Sequence, residues 1–459
     1  MEIDRHPLSY LLQQHGWSAT EYLKRLDGIH QRLGYGAIAT HDRKRVTRWT
    51  REGVTPEGNA QKAMAALHHV PEAEISKRPW PAWLALACMS ARELLDAEWT
   101  PQTTIDLLDH VAAVGGLMDH QGMDRRGFMV VAGLAPVLAQ AASALTVGAR
   151  TIGYKIGPQV PTLFEQSLSV LRREDDHFGS GQVHASARVQ LGLITTQLKG
   201  ASYNEAVGRR LYAAAAEAAR ICAWTAYDSG QYARAEEHYL IALRSARSSG
   251  DPVVTANTLA FWAIQRYSTG DPRGAVDLVN SALGYTRQIG SARMEAMLHA
   301  RLARAYARAG DSPAAARSQN AAIAAYDRTR DQSPEEDPGC VYWVNLGEIC
   351  MLQGSCLLNL NRPKEALAQF EAAADGLRAA DTYREDDFPR GAAIYLSREA
   401  EARIALGDLD GAIATAHRAV DCMGGVTSAR GTGTLMDLRS TFKARRDVPV
   451  VHDFLANTA

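Results

Sequence analysis

The feature that most constrains the fold is a spacing pattern that recurs five times in the C-terminal half of the chain. Each copy has a glycine or asparagine, then alanine five residues later, a residue of variable size nine residues later and alanine twelve residues later. The copies begin at Gly230, Gly270, Gly310, Asn361 and Gly407. Such recurrence predicts a solenoid of paired helices, in which glycine permits the turn and small alanines let the helices approach closely.

The composition favours helix along the whole chain. Alanine dominates an apolar content of 46%, and aromatic residues make up 7%, which predicts an all-α protein. The six cysteines form no Cys-x-x-Cys pair, so neither a disulfide framework nor a zinc site is expected. Because the cysteines are scattered and the first 30 residues lack the pattern of a signal peptide, we expect a reduced, cytoplasmic protein.

The N-terminal residues predict a compact domain of short helices covering 1–80. Residues 7–70 divide into four helical pieces, and a glycine-containing connection leads to the third. We expect Asp42 to cap this third helix, since aspartate is a favoured N-cap residue. Val46 and Trp49 follow at a spacing that places both on one face of the helix. The pattern predicts that this face is buried in the core.

The third helix is strongly basic on its remaining surface. The residues predicted to bind double-stranded DNA are Arg43, Lys44, Arg45, Thr47, Arg48 and Arg51. Arginine and lysine bind guanine edges and phosphates in the major groove, threonine binds phosphates, and a helix N-terminus adds partial positive charge. An ordinary solvated helix is the alternative, since basic runs often only increase solubility.

The sequence around this helix resembles a known family. "VTRWTREG" (46–53) is similar to the end of the recognition helix in Cro/repressor-like (XRE-type) helix-turn-helix regulators, and "HGWSA" (15–19) resembles the start of their second helix. The whole block 1–80, with "RPWPAW" at 78–83, is similar to the N-terminal domains of large actinobacterial regulators of this type. The stretch 18–40 is several residues longer than in a compact repressor, so the resemblance does not fix the angle of the basic third helix.

The repeats in turn resemble tetratricopeptide (TPR) repeats, although their unit is longer than the usual ~34 residues. A solenoid of this kind presents its first helices on a concave face. The first-helix residues predicted to line that face are Arg220, Trp224, Tyr227, Asn257, Ile264, Tyr267, Arg304 and Arg308, and all of them except Ile264 are predicted to bind a ligand. Amide, aromatic and cationic groups are those that an extended peptide requires. Packing between repeats is the alternative role for the same side chains.

The rest of the chain completes the predicted organisation. The predicted segments are a helical linker at 81–155 with an apolar stretch at 127–148, a TPR-like domain at 156–445 with loops at 174–182 and 331–339, and a C-terminal tail at 446–459. The apolar stretch is predicted to be a buried helix, with a membrane span as the alternative.

No catalytic chemistry is indicated. The chain lacks the GxxxxGK[ST], HExxH and GxSxG motifs, which are the spacings of phosphate-binding loops, zinc proteases and serine hydrolases. The side chains nearest to a metal-ligand set are Asp175, Asp176, His177 and His184, and a solvated loop is the favoured interpretation of their spacing. We therefore expect a protein without enzyme activity, cofactor or metal.

The resemblance implies a one-component transcriptional regulator of the cytoplasm and nucleoid. Its N-terminal domain would bind an operator, while its TPR-like domain forms a homodimer and senses a peptide, small molecule or protein. Two alternatives remain at the level of sequence. One is a TPR-like scaffold that binds proteins and not DNA, and the other is a regulator attached to the membrane through 127–148.

Overall fold

The computed structural model describes residues 6–14, 17–68, 70, 72–77, 79–81, 83–84, 97–114, 134–374 and 382–457. The regular structure of these residues is almost entirely α-helix, with two strands of two residues each. The predicted all-α helical-repeat fold is therefore confirmed. The chain divides into two compact units, the first made of 1–98 and 105–127 and the second of 99–104 and 128–459.

The first unit begins with a group of short helices. These are α1 (Pro7–Gln14), α2 (Ala19–Arg32), α3 (Arg43–Arg51), α4 (Gly58–Leu67) and α5 (Glu72–Lys77), and α6 (Pro101–Val114) follows across the division between the units. Helices of this length are marginal in isolation, so their stability comes from a shared core. That core includes Trp83 and Leu84, both fully buried. The first unit therefore extends beyond residue 80, where the sequence analysis ended it.

The second unit consists of helices joined mostly by tight turns. Its helices are α7 (Ala135–Ala142), α8 (Gln159–Phe178), α9 (Ser180–Gly200), α10 (Glu205–Asp228), α11 (Tyr232–Ser249), α12 (Pro252–Ser268), α13 (Pro272–Leu283), α14 (Thr286–Ile289), α15 (Ala292–Ala309), α16 (Ser312–Asp327), α17 (Leu346–Asn359), α18 (Pro363–Ala374), α19 (Pro389–Leu406), α20 (Leu409–Cys422), α21 (Ala429–Lys443) and α22 (Pro449–Asn457). Strand β1 (Tyr154–Lys155) pairs in parallel with β2 (Ala201–Ser202).

The five predicted repeat copies are five helix pairs, namely α10–α11, α12–α13, α15–α16, α17–α18 and α19–α20. The turn residue of every pair has a left-handed backbone, with φ between 57° at Asn361 and 103° at Gly270. Asn361 is the only non-glycine residue with positive φ among the described residues, and asparagine tolerates this region better than most side chains. The alanines at the fifth and twelfth positions are at most 2% exposed. The sequence pattern thus identifies both the turn and the packed face of each pair.

The prediction of a loop at 174–182 is wrong. Helix α8 ends at Phe178 and α9 starts at Ser180, with only Gly179 (φ 76°) between them. Ser180 N–H donates to the Thr427 carbonyl, and Thr427 N–H donates to the Phe178 carbonyl, both at 3.0 Å. A Cβ atom at Gly179 would lie 2.4 Å from that Thr427 oxygen. The glycine is needed for a sharp turn against distant backbone and does not mark a loop.

The other predicted loop, 331–339, contains only short 3₁₀ turns, at Arg328–Asp331 and Pro334–Glu336. This stretch therefore has no α-helix, as predicted.

The prediction that 446–459 is a C-terminal tail is also wrong, because most of this segment is a packed helix. Pro449–Asn457 form helix α22, and its Val451 and Phe454 side chains are 0% and 2% exposed. The Phe454 ring centroid lies 5.1 Å from that of Phe442 on α21. Two apolar side chains three residues apart fall on one helix face, and that face is buried.

The apolar stretch 127–148 lies partly outside the described residues, which do not include 115–133. Its described part contains α7, in which Val137 and Ala141 are 3% and 4% exposed. Within the described ranges, every helix is too short or too polar to cross a bilayer.

Candidate functional site

Helix α3 is the candidate nucleic-acid interface in the first unit. Val46 and Trp49 are 5% and 4% exposed and belong to the core that includes residues of α1, α2 and α4. The predicted inward face of this helix is confirmed. The outward side chains are Arg43, Lys44, Thr47, Arg48 and Arg51, which are exposed, and Arg45, which is half-buried.

Two contacts hold part of this basic surface in place. The guanidinium carbon of Arg45 lies 5.7 Å from the ring centroid of Trp49, and Arg48 Nη2 lies 2.9 Å from Asp42 Oδ2. The second contact is a solvent-exposed ion pair, worth at most about 1 kcal/mol, so Arg48 can exchange Asp42 for a phosphate at little cost. Asp42 is the N-cap residue of α3, but its side chain accepts no hydrogen bond from that helix. The prediction that the Asp42 side chain caps α3 is therefore wrong, because its carboxylate pairs with Arg48.

Two residues of α2 position the connection that leads into α3. Asp27 accepts the Ile38 N–H on Oδ1 and the Gln31 side-chain amide on Oδ2, both at 2.7 Å. A ring nitrogen of His30, which is 7% exposed, lies 2.8 Å from the Gly36 carbonyl oxygen. The long connection is therefore tied to α2, and these bonds fix the direction in which α3 begins. Neither side chain belongs to the sequence motif that drew attention to this region.

The predicted ligand-binding residues lie in the second unit, where Arg220 takes part in a buried ion-pair system. Its guanidinium contacts the Glu217 carboxylate at 2.7 and 2.9 Å, and Arg172 contacts the same carboxylate at 2.8 Å. Burial raises the pKa of Glu217, but the charges and hydrogen bonds of the two arginines outweigh it and lower the pKa to about 2. The Arg220 guanidinium is thus occupied by an internal carboxylate.

Trp224, also on α10, contacts the first of two buried aspartates. Asp175 Oδ2 accepts the Trp224 indole N–H at 2.8 Å and an Arg390 N–H at 2.7 Å, and Oδ1 lies 3.2 Å from the Ser180 hydroxyl, whose one hydrogen it shares with Asp228. Burial raises the pKa of Asp175, but the Arg390 charge and these hydrogen bonds leave it lower than usual. Arg390 and Asp175 are 215 positions apart in the chain.

The second buried aspartate, Asp228, is 0% exposed. It accepts hydrogen bonds from Ser180 at 2.8 Å, Ser428 at 2.9 Å and Arg430 Nε at 3.2 Å, and Arg390 lies 3.5 Å away. We call Asp175, Asp228, Arg390 and Arg430 the buried ionic network. Arg430 also lies over the rings of Trp224 and Tyr227, at 4.7 and 5.6 Å. The network therefore joins α8 and α10 to α19 and α21.

The residues considered as metal ligands have other partners. Asp176 accepts a hydrogen bond from the Tyr342 hydroxyl, and burial raises the pKa of Asp176 to about 6. His184 Nδ1 lies 2.7 Å from the Thr225 hydroxyl, and burial lowers the pKa of His184 to about 4. In the part of the chain that the structure describes, no three His, Cys, Asp or Glu side chains form a group able to hold a metal ion.

The remaining predicted ligand residues lie on α12 and α15. Asn257 and Ile264 are 2% and 3% exposed, and no described residue bonds the Asn257 side-chain oxygen. Tyr267 is 5% exposed, whereas Arg304 is half-buried and Arg308 is exposed. The predicted ligand-binding residues divide between two sets of contacts. Arg220, Trp224 and Tyr227 contact the ion-paired interior, and Arg304 and Arg308 contact Tyr267.

Sequence reasoning missed a further buried acid beside this second group. Glu348 on α17 accepts the Tyr395 hydroxyl hydrogen at 2.7 Å and is 9% exposed. Burial raises the pKa of Glu348 to about 7 even though the charge of Arg301 opposes this shift. Arg301 is 8% exposed, and its guanidinium lies 5.2 Å from the ring of Trp343. A charged residue on a helix predicted to line the inner face is a sequence signal for a buried polar site, but the sequence does not show which residues it contacts.

Comparison with known proteins gives no assignment. No protein-family model and no curated protein matches the chain. Among solved structures, the chain is similar to the crystal structure of BtubC (BKLC) from P. vanneervenii, with 16% identity and a TM-score of 0.34. The alignment covers 57% of this chain and 91% of that one. A similarity this low carries no argument about function.

Proposed function

We propose that the protein is a one-component transcriptional regulator whose first unit binds operator DNA through α3. The observation that carries the proposal is the division of this short helix into a buried Val46–Trp49 face and an exposed basic face. Exposed basic residues give affinity for the phosphate backbone, and arginine also distinguishes guanine in the major groove. The resemblance of the sequence to Cro/repressor-like regulators supports the same role.

The test is a selection of bound fragments from the parent genome with the full-length protein, followed by measurement of affinity against salt. We expect a shared, roughly palindromic motif and an affinity that falls steeply with salt. If no fragment is enriched, with or without cell extract, the proposal fails and the alternative of a protein-binding scaffold without DNA binding takes its place.

Two variants test the assignment to α3. Arg43→Ala and Arg48→Ala leave a good helix former in place and should weaken operator binding by about 1–3 kcal/mol if the arginine contacts a base. An arginine that contacts only a phosphate should instead reduce the salt slope by about 1. Arg317→Ala, which removes an exposed arginine from α16, is the matched control. If both α3 variants bind like the control, the assignment is wrong.

We also propose that the second unit forms the homodimer. Among the described residues, most of the large exposed hydrophobic side chains fall between residues 145 and 193. They include Ile152, Tyr154, Leu163, Val170, Phe178, Val189 and Leu193. Concentrated exposed apolar residues are typical of protein interfaces. Light scattering should give a dimer for the native chain and a monomer for Leu163→Glu, whereas Met436→Glu, which alters an exposed residue on α21, should stay dimeric. A monomeric native chain would refute this part of the proposal.

Regulation would follow from ligand binding in the second unit. A ligand that binds one conformation of the dimer better than another shifts the population toward that conformation. If that conformation changes the spacing between the first units of the two protomers, the ligand changes operator affinity, and operator DNA changes ligand affinity by the same factor. The candidate ligands remain a peptide, a small molecule or a protein.

A further inference from the structure

Three arginines of α15 converge on a single tyrosine. Arg301 Nη1 lies 3.5 Å from the Tyr267 hydroxyl, the Arg304 guanidinium lies 5.9 Å from the Tyr267 ring centroid, and Arg308 Nε donates to the Tyr267 carbonyl at 3.1 Å. The three side chains are spaced so that they share one side of the helix. Their cationic groups therefore lie within a short distance of one another.

A fourth arginine joins them from α19. The Asn359 side-chain oxygen accepts hydrogen bonds from both Arg304 Nη1 and Arg398 Nη2, the latter at 3.1 Å. Arg304 also donates to the Ser355 carbonyl at 3.0 Å. A shared acceptor places the guanidinium groups of α15 and α19 beside each other. We call Arg301, Arg304, Arg308 and Arg398 the arginine cluster.

The repeat register explains why these residues meet. Arg304, Ser355 and Glu401 each stand six residues before the turn residue of their own pair, which is Gly310, Asn361 or Gly407. Equivalent positions of successive first helices line the same face of a solenoid. The arginine cluster is therefore built on the inner line of three consecutive repeats, and its members come from two of them.

The cluster carries more positive charge than its surroundings neutralise. Arg398 pairs with Glu401 at 2.6 Å, and the buried Glu348 interacts with Arg301 from beyond ion-pairing distance. Among the described residues no carboxylate lies within ion-pairing distance of Arg301, Arg304 or Arg308. Arg301 is 8% exposed and its Nε has no hydrogen-bond partner among the described residues. Buried cations normally occur with an anion that compensates them.

The pKa directions of Arg308 and Arg398 agree with this geometry. Burial lowers the pKa of Arg301, but its interactions with Tyr267, Tyr395 and Glu348 outweigh burial and raise that pKa. Burial, together with the charges of Arg304 and Arg308 and against the opposing effect of Glu401, lowers the pKa of Arg398 to about 10. Burial and the Arg304 charge also lower the pKa of Arg308. Arg304, Arg308 and Arg398 thus repel one another, and a bound anion would relieve that repulsion.

We infer that the arginine cluster binds a small dianion, a phosphoryl or dicarboxylate group, and that this anion is part of the ligand sensed by the second unit. Planar guanidinium groups bind both classes through paired, charge-assisted hydrogen bonds. Half-buried Arg304 and exposed Arg308 give the ligand access, while Arg301 and Arg398 supply charge from deeper in the fold. The inference rests on the sensing role in the proposed function and narrows the ligand to an acidic compound.

The test is equilibrium dialysis of full-length protein without DNA, against labelled inorganic phosphate in one arm and labelled succinate in the other. Sodium chloride holds the ionic strength constant, so that general screening cannot imitate binding. We expect saturable binding of about one equivalent in at least one arm, because the cluster supplies one site per chain. Phosphate binding alone would identify a phosphoryl ligand, and succinate binding alone a carboxylate ligand. Saturation in neither arm overturns the inference.

Variants decide whether the anion binds at this place. Arg308→Gln removes an exposed side chain with one backbone hydrogen bond, and Arg304→Gln keeps a polar side chain between Ser355 and Asn359. Each should weaken binding by about tenfold or more, since a charge-assisted contact is lost. Arg317→Gln on α16 should bind like the native chain. Unchanged binding by the first two variants would place the anion elsewhere and overturn the inference. Because DNA is absent from this assay, its failure would leave the DNA-binding proposal untouched.

Discussion

Replacement of Arg390 by methionine tests whether the buried ionic network stabilises the second unit. The Arg390 side chain is 5% exposed and contacts Asp175 at 2.7 and 3.1 Å and Asp228 at 3.5 Å. Methionine keeps an unbranched side chain of similar length but has no charge. Arg390→Met therefore leaves the buried Asp175 carboxyl without its main counter-charge.

The size of the effect follows from the remaining partners. Loss of one member of a buried ion pair typically costs about 3–5 kcal/mol. Asp175 keeps the hydrogen bonds from Trp224 and Ser180, and Asp228 keeps Arg430. We therefore expect the lower end, about 3 kcal/mol at pH 7. The additional change Asp175→Asn removes the uncompensated charge and should recover about 1–2 kcal/mol.

Urea unfolding followed by circular dichroism measures these free energies. Arg362→Met, which breaks an exposed pair with Glu365, is the control and should cost under about 1 kcal/mol. In the native chain the depressed pKa of Asp175 gives stability that is present above its unfolded pKa of 3.8 and is lost as the pH falls through the lower folded value. Loss of Arg390 leaves burial to raise the folded pKa of Asp175 in the variant, so the difference in stability between native protein and Arg390→Met should shrink as the pH falls below 7 and be smallest at the acid end. A cost at pH 7 no larger than that of the control would refute the reasoning.

Three further changes test other parts of the structure. Glu348→Gln keeps an oxygen for the Tyr395 hydroxyl but cannot ionise. Because burial raises the folded pKa of Glu348 from 4.5 to about 7, the stability of the native protein should decline between those pH values by up to about 3 kcal/mol relative to the variant. Melting temperatures that run parallel for the two proteins from pH 4 to 8 would contradict this. Asn361→Val should cost about 1–2 kcal/mol in thermal unfolding because φ is 57°, whereas Asn361→Gly should stay near the native value. Phe454→Ala should lower the free energy of unfolding by about 3–5 kcal/mol, whereas His452→Ala, at an exposed position of the same helix, should change it little. Equal melting temperatures for the two variants would restore the view that this segment is a tail.

The inner surface of the second unit combines two kinds of polar interior. The buried ionic network has opposite charges in contact, so it stabilises a particular arrangement of α8, α10, α19 and α21. The arginine cluster holds like charges around shared partners, Asn359 and Tyr267, so a bound anion would stabilise it. Because of this contrast, we assign a structural role to the buried ionic network and ligand binding to the arginine cluster.

The sequence by itself determined the features that depend on neighbours along the chain. Turn positions such as Asn361 follow from backbone stereochemistry, and the close approach of paired helices follows from alanines at fixed spacing. The inward placement of Val46 and Trp49 follows from helical geometry, because residues three apart share a face. Each of these relations is local, so a pattern of residue types is sufficient to predict it.

The tertiary structure decided which distant residues meet. Spacing did not indicate that Asp175 would pair with Arg390, or that Gly179 would form a turn against Thr427 in place of a loop. It also did not indicate that Arg398 would complete a cation cluster begun on α15. Burial, charge compensation and the choice of hydrogen-bond partner depend on how the repeats stack, and the chain brings these residues together only when the whole second unit has folded.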